Sequence, residues 1–146
     1  MANSHDFSAL VMNIYEKDIF VPVFSNIKID EVLCGGASAS LEIDPQKHLS
    51  RRGSVQSGVL TALNDVAVKI IGASVGALVD TLSFSMNLTR DIPFCKIVKA
   101  TGVVKHHGRS TMVIASEIKN EDGFLLATAL TTMSIEGFFD EIPIKW

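Results

Sequence analysis

The hydrophobic positions of this chain follow two periods, one typical of helices and one typical of strands. Apolar residues recur at helical spacing in residues 8–17 and 57–76, which predicts a short amphipathic helix and a long apolar one. Apolar and polar residues alternate in residues 81–89, which predicts a half-buried strand with Leu82 and Phe84 on one face and Thr81 on the other. Shorter apolar runs between polar or glycine-rich turns predict further strands at 27–32, 37–43, 97–105, 110–119 and 124–135.

This order of elements predicts an α+β fold. The last strands follow one another through hairpin-like turns at 106–109 and 120–123, which indicates an antiparallel sheet. One long helix can bury one face of such a sheet. Because 146 residues suffice for one sizeable core, we expect a single domain over residues 1–146.

The long helix carries one acid, Asp65. On a helical wheel the apolar side consists of Val59, Leu60, Leu63, Val66, Ala67, Ile70 and Ile71. The opposite strip is mixed and consists of Thr61, Asp65, Val68, Lys69 and Gly72. Coverage of this strip by another subunit would desolvate Asp65 and make it a stronger base. Residue type alone favours an ordinary surface aspartate, because Asp is mostly exposed in proteins. Ser57 is the predicted N-cap.

Composition narrows the range of partners. The chain is 47% hydrophobic with a mean hydropathy of +0.32, so we expect part of the apolar surface to lie in a homo-oligomer, either a dimer or a dimer of dimers. A net charge of −3 argues against nucleic-acid binding. No apolar run is long enough for a membrane span. The absence of a recognisable secretory signal and the two cysteines, expected as reduced core thiols, favour a cytoplasmic location.

Residues 48–65, from His48 to Asp65, resemble the signature of hot-dog-fold acyl-CoA thioesterases of the phenylacetate-degradation type, the PaaI-like group of the 4-hydroxybenzoyl-CoA thioesterase superfamily. The family pattern is His-x-Asn-x-x-Gly-x-x-His-Gly-Gly, followed by a helix that carries an acid. The resemblance continues through 83–88, 102–111 and 122–129 in the family's order. It implies a curved antiparallel sheet around the long helix, dimers with active sites at the subunit interface, and an acyl-CoA substrate.

The resemblance also implies catalytic roles. Asp65 matches the catalytic carboxylate, which acts as general base or as nucleophile. The amide of Ser57 matches the group that hydrogen-bonds the thioester oxygen, at a helix start where N–H groups are open. Gln56 stands where the family has histidine, and Ser83 matches a hydroxyl that assists from the partner subunit.

The same resemblance implies residues that bind the substrate. Ser50 stands at the family's asparagine position and Gly58 at its second glycine. Arg109 and Ser110 lie in a turn that, in the family, approaches the phosphates of coenzyme A, and Arg90 is a second candidate. A solvent-exposed hairpin tip is the alternative interpretation of Arg109.

Two functions from different classes follow. The first is hydrolysis of an acyl-CoA thioester without metal or cofactor, since His106 and His107 lack a third ligand at usable spacing. The second is a non-catalytic hot-dog domain that binds acyl thioesters or only oligomerises, because Ser50, Gln56 and Ser57 differ from the family pattern. A thioester dehydratase on the same fold is less favoured, since its usual histidine is absent.

Overall fold

The computed structural model describes residues 4–18, 26–89 and 94–146, and each predicted helix and strand is found there. The largest differences from the predicted ends are at the starts of the first helix and of the third strand, predicted at residues 8 and 81. In chain order the elements are α1 (Ser4–Asp18), β1 (Ile27–Leu33), β2 (Gly36–Glu42), α2 (Ser57–Ser74), β3 (Ala77–Leu88), β4 (Ile97–His107), β5 (Thr111–Asn120) and β6 (Leu125–Phe138).

The strands form one six-stranded antiparallel sheet in the order β1-β2-β4-β5-β6-β3. Helix α2 contacts all six strands, and α1 packs on α2 and β1. The arrangement is therefore the predicted α+β fold with α2 at its centre. Strand β3 is an edge strand, since within the described chain it pairs only with β6.

The predicted apolar side of α2 is buried except for Val66, which is partly buried, and Leu60, Leu63 and Ile70 have no exposed surface. The separation of an apolar side from an opposite strip is wrong in part. Two residues of the opposite strip, Val68 and Gly72, are buried within this chain as well. The physical reason is that this chain covers them itself. Val68 belongs to a hydrophobic cluster that includes Val11 of α1, and a Cβ at Gly72 would lie 2.5 Å from a methyl group of Val79 on β3.

Helix α2 ends at Ser74, earlier than predicted. The backbone N–H of Val75 donates to the carbonyl oxygen of Gly72, and that of Gly76 donates to the carbonyl oxygen of Ala73. Gly76 has a φ of +80°. This left-handed conformation favours glycine, which commonly ends helices in this way. A Cβ at Gly76 would also lie only 2.6 Å from the carbonyl oxygen of Ile142. The chain therefore turns at Gly76 and enters β3 at once.

A bulge at Leu82 changes the side-chain pattern of β3. Thr81 pairs with Met133 and Ser83 with Thr132, so Leu82 has no partner of its own. Such a bulge shifts the alternation by one residue. Thr81 and Phe84 therefore both face α2, and the prediction that they lie on opposite faces is wrong.

Neither described helix is long and apolar enough to cross a lipid bilayer. Neither Cys34 nor Cys95 is in a disulfide. The predicted core position is confirmed for Cys95, which is fully buried. Its burial, with a smaller contribution from the carboxylate of Glu121, raises the pKa of its thiol. Cys34 is only partly buried, and its Sγ donates to the carbonyl oxygen of Ile144 over 3.3 Å.

Candidate active site

A cleft of about 260 Å³ lies between the N-terminal half of α2 and the edge strand β3. Helix α2 supplies most of its wall, β3 contributes two side chains, and β6 contributes one. The lining residues are Gly58, Thr61, Ala62, Asn64, Asp65, Thr81, Phe84 and Thr131. The cleft therefore brings Asp65 to the same space as the first turn of α2.

Two neighbours hold the Asp65 carboxylate. The hydroxyl of Thr81 donates to Oδ1 over 3.0 Å, and the Nζ of Lys69 lies 3.3 Å from Oδ2. The Asp65 side chain is 45% exposed within one chain, so the ion pair is partly solvated and adds little stability. Each carboxylate oxygen has two lone pairs, so both can still accept a proton or a hydrogen bond from a molecule in the cleft.

The N-terminus of α2 lacks a side-chain cap. Gln56 is the N-cap residue, with φ −65° and ψ 140°, and its side chain makes no capping bond. The prediction that Ser57 is the N-cap is wrong, because Ser57 is already the first helical residue. No acceptor in the described ranges bonds the amides of Ser57 and Gly58. These open N–H groups, at the positive end of the helix dipole, form a site suited to a developing oxyanion.

Two predicted site residues are bound into the loop before α2. The Nε2 of Gln56 donates to the carbonyl oxygen of Leu49 over 3.3 Å. The Oγ of Ser50 lies 2.9 Å from the Oγ of Ser54. Neither Gln56 nor Ser50 lines the cleft. Their side chains hold the loop together, and the loop in turn fixes the start of the helix.

The other predicted residues also lie away from the cleft of a single chain. Ser83 is exposed, on the other side of the β3 bulge from Thr81. Arg109 and Ser110 are exposed in the turn between β4 and β5. Arg90 lies outside the described residues. Of the predicted set, Asp65 and Gly58 line the cleft, and Ser57 precedes Gly58 as the first residue of α2.

Comparisons with known proteins found similarity in fold but none in sequence family. No protein-family model and no curated protein sequence matches the chain. Solved structures do match. The PaaI protein of the E. coli phenylacetic acid degradation operon has a TM-score of 0.83 at 23% identity, over 94% of this chain and 99% of that one. This chain has the hot-dog fold.

Two other hot-dog structures carry ligands. A hypothetical thioesterase from Streptococcus pneumoniae, solved with coenzyme A, has a TM-score of 0.78 at 23% identity and covers 87% of this chain and 98% of its own. A Streptococcus mutans protein bound to acetyl-CoA has a TM-score of 0.75 at 23% identity, over 83% and 97% of the two chains. At these identities the likeness establishes the fold, and the predicted hot-dog architecture is confirmed.

A second groove of this hot-dog domain lies on the face of the sheet away from α2. It has a volume of about 480 Å³ and includes the charged residues Lys105, Glu117 and Lys119. The larger volume does not make it the better candidate, because it contains neither Asp65 nor a helix terminus. Among the described residues, no three His, Cys, Asp or Glu side chains lie together as potential metal ligands.

Sequence reasoning missed three polar residues near the cleft of the hot-dog domain. Thr81 was predicted to face away from it, and only the bulge at Leu82 brings it to Asp65. Asn64 and Thr131 line the cleft and are almost fully buried. The one available signal was Asn64 itself, a polar residue on the apolar side of the predicted helix.

Proposed function

We propose that this protein is a PaaI-like acyl-CoA thioesterase that hydrolyses an acyl-CoA to a free acid and coenzyme A. One observation carries the proposal: Asp65 and the open N-terminus of α2 border the same cleft. A carboxylate base and free N–H groups in one cleft are the groups that hydrolysis of a carbonyl compound needs. The shared fold with thioesterases, including structures that hold coenzyme A or acetyl-CoA, supports the same conclusion.

The proposed reaction uses water and protein groups alone. The thioester oxygen accepts hydrogen bonds from the amides of Ser57 and Gly58. Water attacks the carbonyl carbon while Asp65 takes its proton, and the carbonyl electron pair moves to the oxygen. The tetrahedral oxyanion then re-forms the double bond, and the C–S bond breaks with its electron pair on sulfur. The proton held by Asp65 passes to the thiolate, which regenerates the base.

Two residues position the base in this scheme. Thr81 directs one oxygen of Asp65, and Lys69 pairs with the other. Because both neighbours approach the carboxylate, its orientation in the cleft is restricted. Direct attack by Asp65 on the carbonyl carbon is the alternative chemistry, and it would give an acyl-enzyme anhydride that water then cleaves.

A second copy of this chain is the proposed cover of the cleft. The outer edge of β3 carries unpaired backbone groups, which favour pairing with another strand. Leu82, Phe84 and Leu88 on the same strand are 61%, 47% and 45% exposed. A two-fold pairing would use the same patch on both copies. In such a dimer, Ser83 of the partner subunit would assist at the cleft, and dimers would pair further into tetramers.

The phosphates of coenzyme A are proposed to bind near the β4–β5 turn. Arg109 and Ser110 are exposed there and available to an anionic ligand. A guanidinium binds phosphate through two parallel hydrogen bonds, which makes Arg109 the main candidate. Arg90 is the second candidate for binding the phosphates. Ser50 is proposed to act indirectly, because its bond to Ser54 holds the loop that fixes the start of α2.

One observation favours a second candidate function, that of a non-catalytic domain that binds acyl thioesters. The side-chain nitrogen of Gln56 donates to the carbonyl oxygen of Leu49, and the hydroxyl of Ser50 is hydrogen-bonded to that of Ser54. Neither side chain therefore contacts a substrate in the cleft. This candidate predicts that acyl-CoA raises the melting temperature without release of thiol.

Thiol release from a panel of acyl-CoAs tests the proposal. The panel contains acetyl-CoA, butanoyl-CoA, 3-hydroxybutanoyl-CoA, phenylacetyl-CoA and decanoyl-CoA, each with wild type, Asp65→Asn and the control Asp80→Asn. Asp80 is exposed on β3 and does not line the cleft. We expect turnover by wild type and by Asp80→Asn, and loss of about 10²-fold or more in kcat for Asp65→Asn. Undiminished turnover by Asp65→Asn would contradict the mechanism, and thermal stabilisation without turnover would support the binding domain.

A further inference from the structure

Three buried polar residues form a hydrogen-bonded set at the wall of the cleft. Asn64 of α2, Ser116 of β5 and Thr131 of β6 are 2%, 4% and 1% exposed. The hydroxyl of Ser116 donates to Oδ1 of Asn64. The Nδ2 of Asn64 donates to Oγ1 of Thr131 over 3.3 Å. The set links the central helix to two strands.

One hydroxyl proton of this set has no acceptor in the described residues. In the bond with Asn64 the Thr131 hydroxyl is the acceptor, so its own proton remains to be donated. No acceptor for it is found in residues 4–18, 26–89 or 94–146. The other two threonines of the cleft differ, because Thr61 donates to the Ser57 carbonyl oxygen and Thr81 donates to Asp65. Thr131 is therefore the threonine whose donor is available to a molecule in the cleft.

The position of this donor matters. Thr131, Asn64 and Asp65 line one cleft, with the carboxylate as acceptor and the hydroxyl as donor. A buried donor without an acceptor is unfavourable, so a water or a ligand oxygen in the cleft is its natural partner. A water in the cleft would find a donor in the Thr131 hydroxyl and an acceptor in the Asp65 carboxylate. An ordered water needs several such polar partners.

We propose that Thr131 is a further catalytic residue, whose hydroxyl donates a hydrogen bond to the water that attacks the thioester, and that Asn64 is a positioning residue for Thr131. The inference rests on the proposed thioesterase function. The water accepts one hydrogen bond from Thr131 and donates one proton toward Asp65, so its remaining lone pair is free to form the C–O bond. Asn64, itself fixed by Ser116, keeps the Thr131 hydroxyl directed into the cleft.

Three variants test this inference. Thr131→Val keeps the shape and removes the hydroxyl, whereas Thr131→Ser keeps the hydroxyl. Thr128→Val is the matched control, since Thr128 lies on the same strand and lines the groove on the other face. The measurements are kcat and KM for butanoyl-CoA, 3-hydroxybutanoyl-CoA and phenylacetyl-CoA, with a melting temperature for each variant to verify folding.

For Thr131→Val we expect kcat to fall by about 10- to 100-fold on each acyl-CoA that wild type hydrolyses, with KM changed by about twofold or less. Thr131→Ser and Thr128→Val are expected to stay within about threefold of wild type. An unchanged kcat in folded Thr131→Val overturns the inference. An equal loss in Thr131→Ser also overturns it, because packing would then be the cause.

A loss confined to 3-hydroxybutanoyl-CoA and expressed in KM would assign Thr131 to recognition of the acyl group and would overturn its role toward water. If wild type hydrolyses none of the acyl-CoAs in the panel, the proposed function fails and this inference fails with it. Turnover by wild type together with an unaffected Thr131→Val leaves the proposed function intact and removes the inference alone.

Discussion

The hydroxyl of Thr81 donates a 3.0 Å hydrogen bond to Oδ1 of Asp65, joining the edge strand to the central helix. The bond exists because the bulge at Leu82 reverses the alternation of β3 just after Thr81. Without the bulge, Thr81 and Phe84 would lie on opposite faces of the strand. One extra residue therefore places both a polar and an aromatic side chain at the cleft.

Removal of this bond is expected to slow catalysis with little effect on folding. Thr81→Val leaves Asp65 without its neutral donor, so the carboxylate samples more orientations, and we expect kcat to fall about 10-fold. The free energy of unfolding should change by only about 1 kcal/mol, because the bond lies in a partly exposed site. Steady-state kinetics and thermal unfolding measure the two effects.

Thr81→Ser is the matched control, since it keeps the hydroxyl and should retain most of the activity. A Thr81→Val protein with wild-type kcat would show that Lys69 alone orients the carboxylate.

The amide of Ser57 can be removed without loss of the helix. Proline suits the first helical position, where its missing N–H is not needed for the helix. The residue before it, Gln56, already has the extended conformation that a following proline requires, with ψ 140°. Ser57→Pro should therefore fold, while kcat falls by about 10²- to 10³-fold because a donor to the oxyanion is lost.

Ser57→Ala keeps the N–H and removes only the hydroxyl, so it separates the two groups. We expect near wild-type turnover from it in the same assay of thiol release. Equal activity of the proline and alanine variants would exclude the Ser57 amide as an oxyanion donor.

The order and approximate bounds of the helices and strands can be predicted from the sequence, because apolar residues recur clearly at helical or strand spacing. Leu60, Leu63 and Ile70 mark the buried side of α2, and the turns after β4 and β5 carry glycine and polar residues. Local pattern does not report what other elements cover, however. The helical wheel places Val68 on the mixed strip opposite the apolar side, but α1 of the same chain contributes to the hydrophobic cluster that buries it.

The candidate site was less predictable than the fold for two physical reasons. A bulge leaves no clear mark in the alternation of a strand, so the side of Thr81 could not be read from residues 81–89. Contacts between distant strands are also absent from a local pattern, so the meeting of Asn64 with Thr131 was not predicted. Asp65 is a candidate because of the family resemblance, since its residue type alone favours an ordinary surface position.

Glu121 gives the fold a specific dependence on pH. Its carboxylate accepts hydrogen bonds from its own backbone N–H, which has the largest effect, and from the backbone N–H groups of Lys96 and Ile97. These bonds lower the pKa of Glu121 below its ordinary value of 4.5. Because the folded pKa is lowered, the stabilisation is fully present above the unfolded pKa and is lost as pH falls through the folded one. The wild-type melting temperature should therefore decrease as the pH is lowered from about 5 to about 3.

Glu121→Gln removes this charge, so its melting temperature should lie below that of wild type at pH 7, and the difference should narrow as the pH falls. Asp122→Asn changes the neighbouring exposed carboxylate and is the control, which we expect to follow the wild-type profile. Thermal unfolding of the three proteins at pH 7, 5, 4 and 3 measures the effect. A constant difference between wild type and Glu121→Gln across this series would mean that the contacts to Lys96 and Ile97 stabilise the fold independently of the charge.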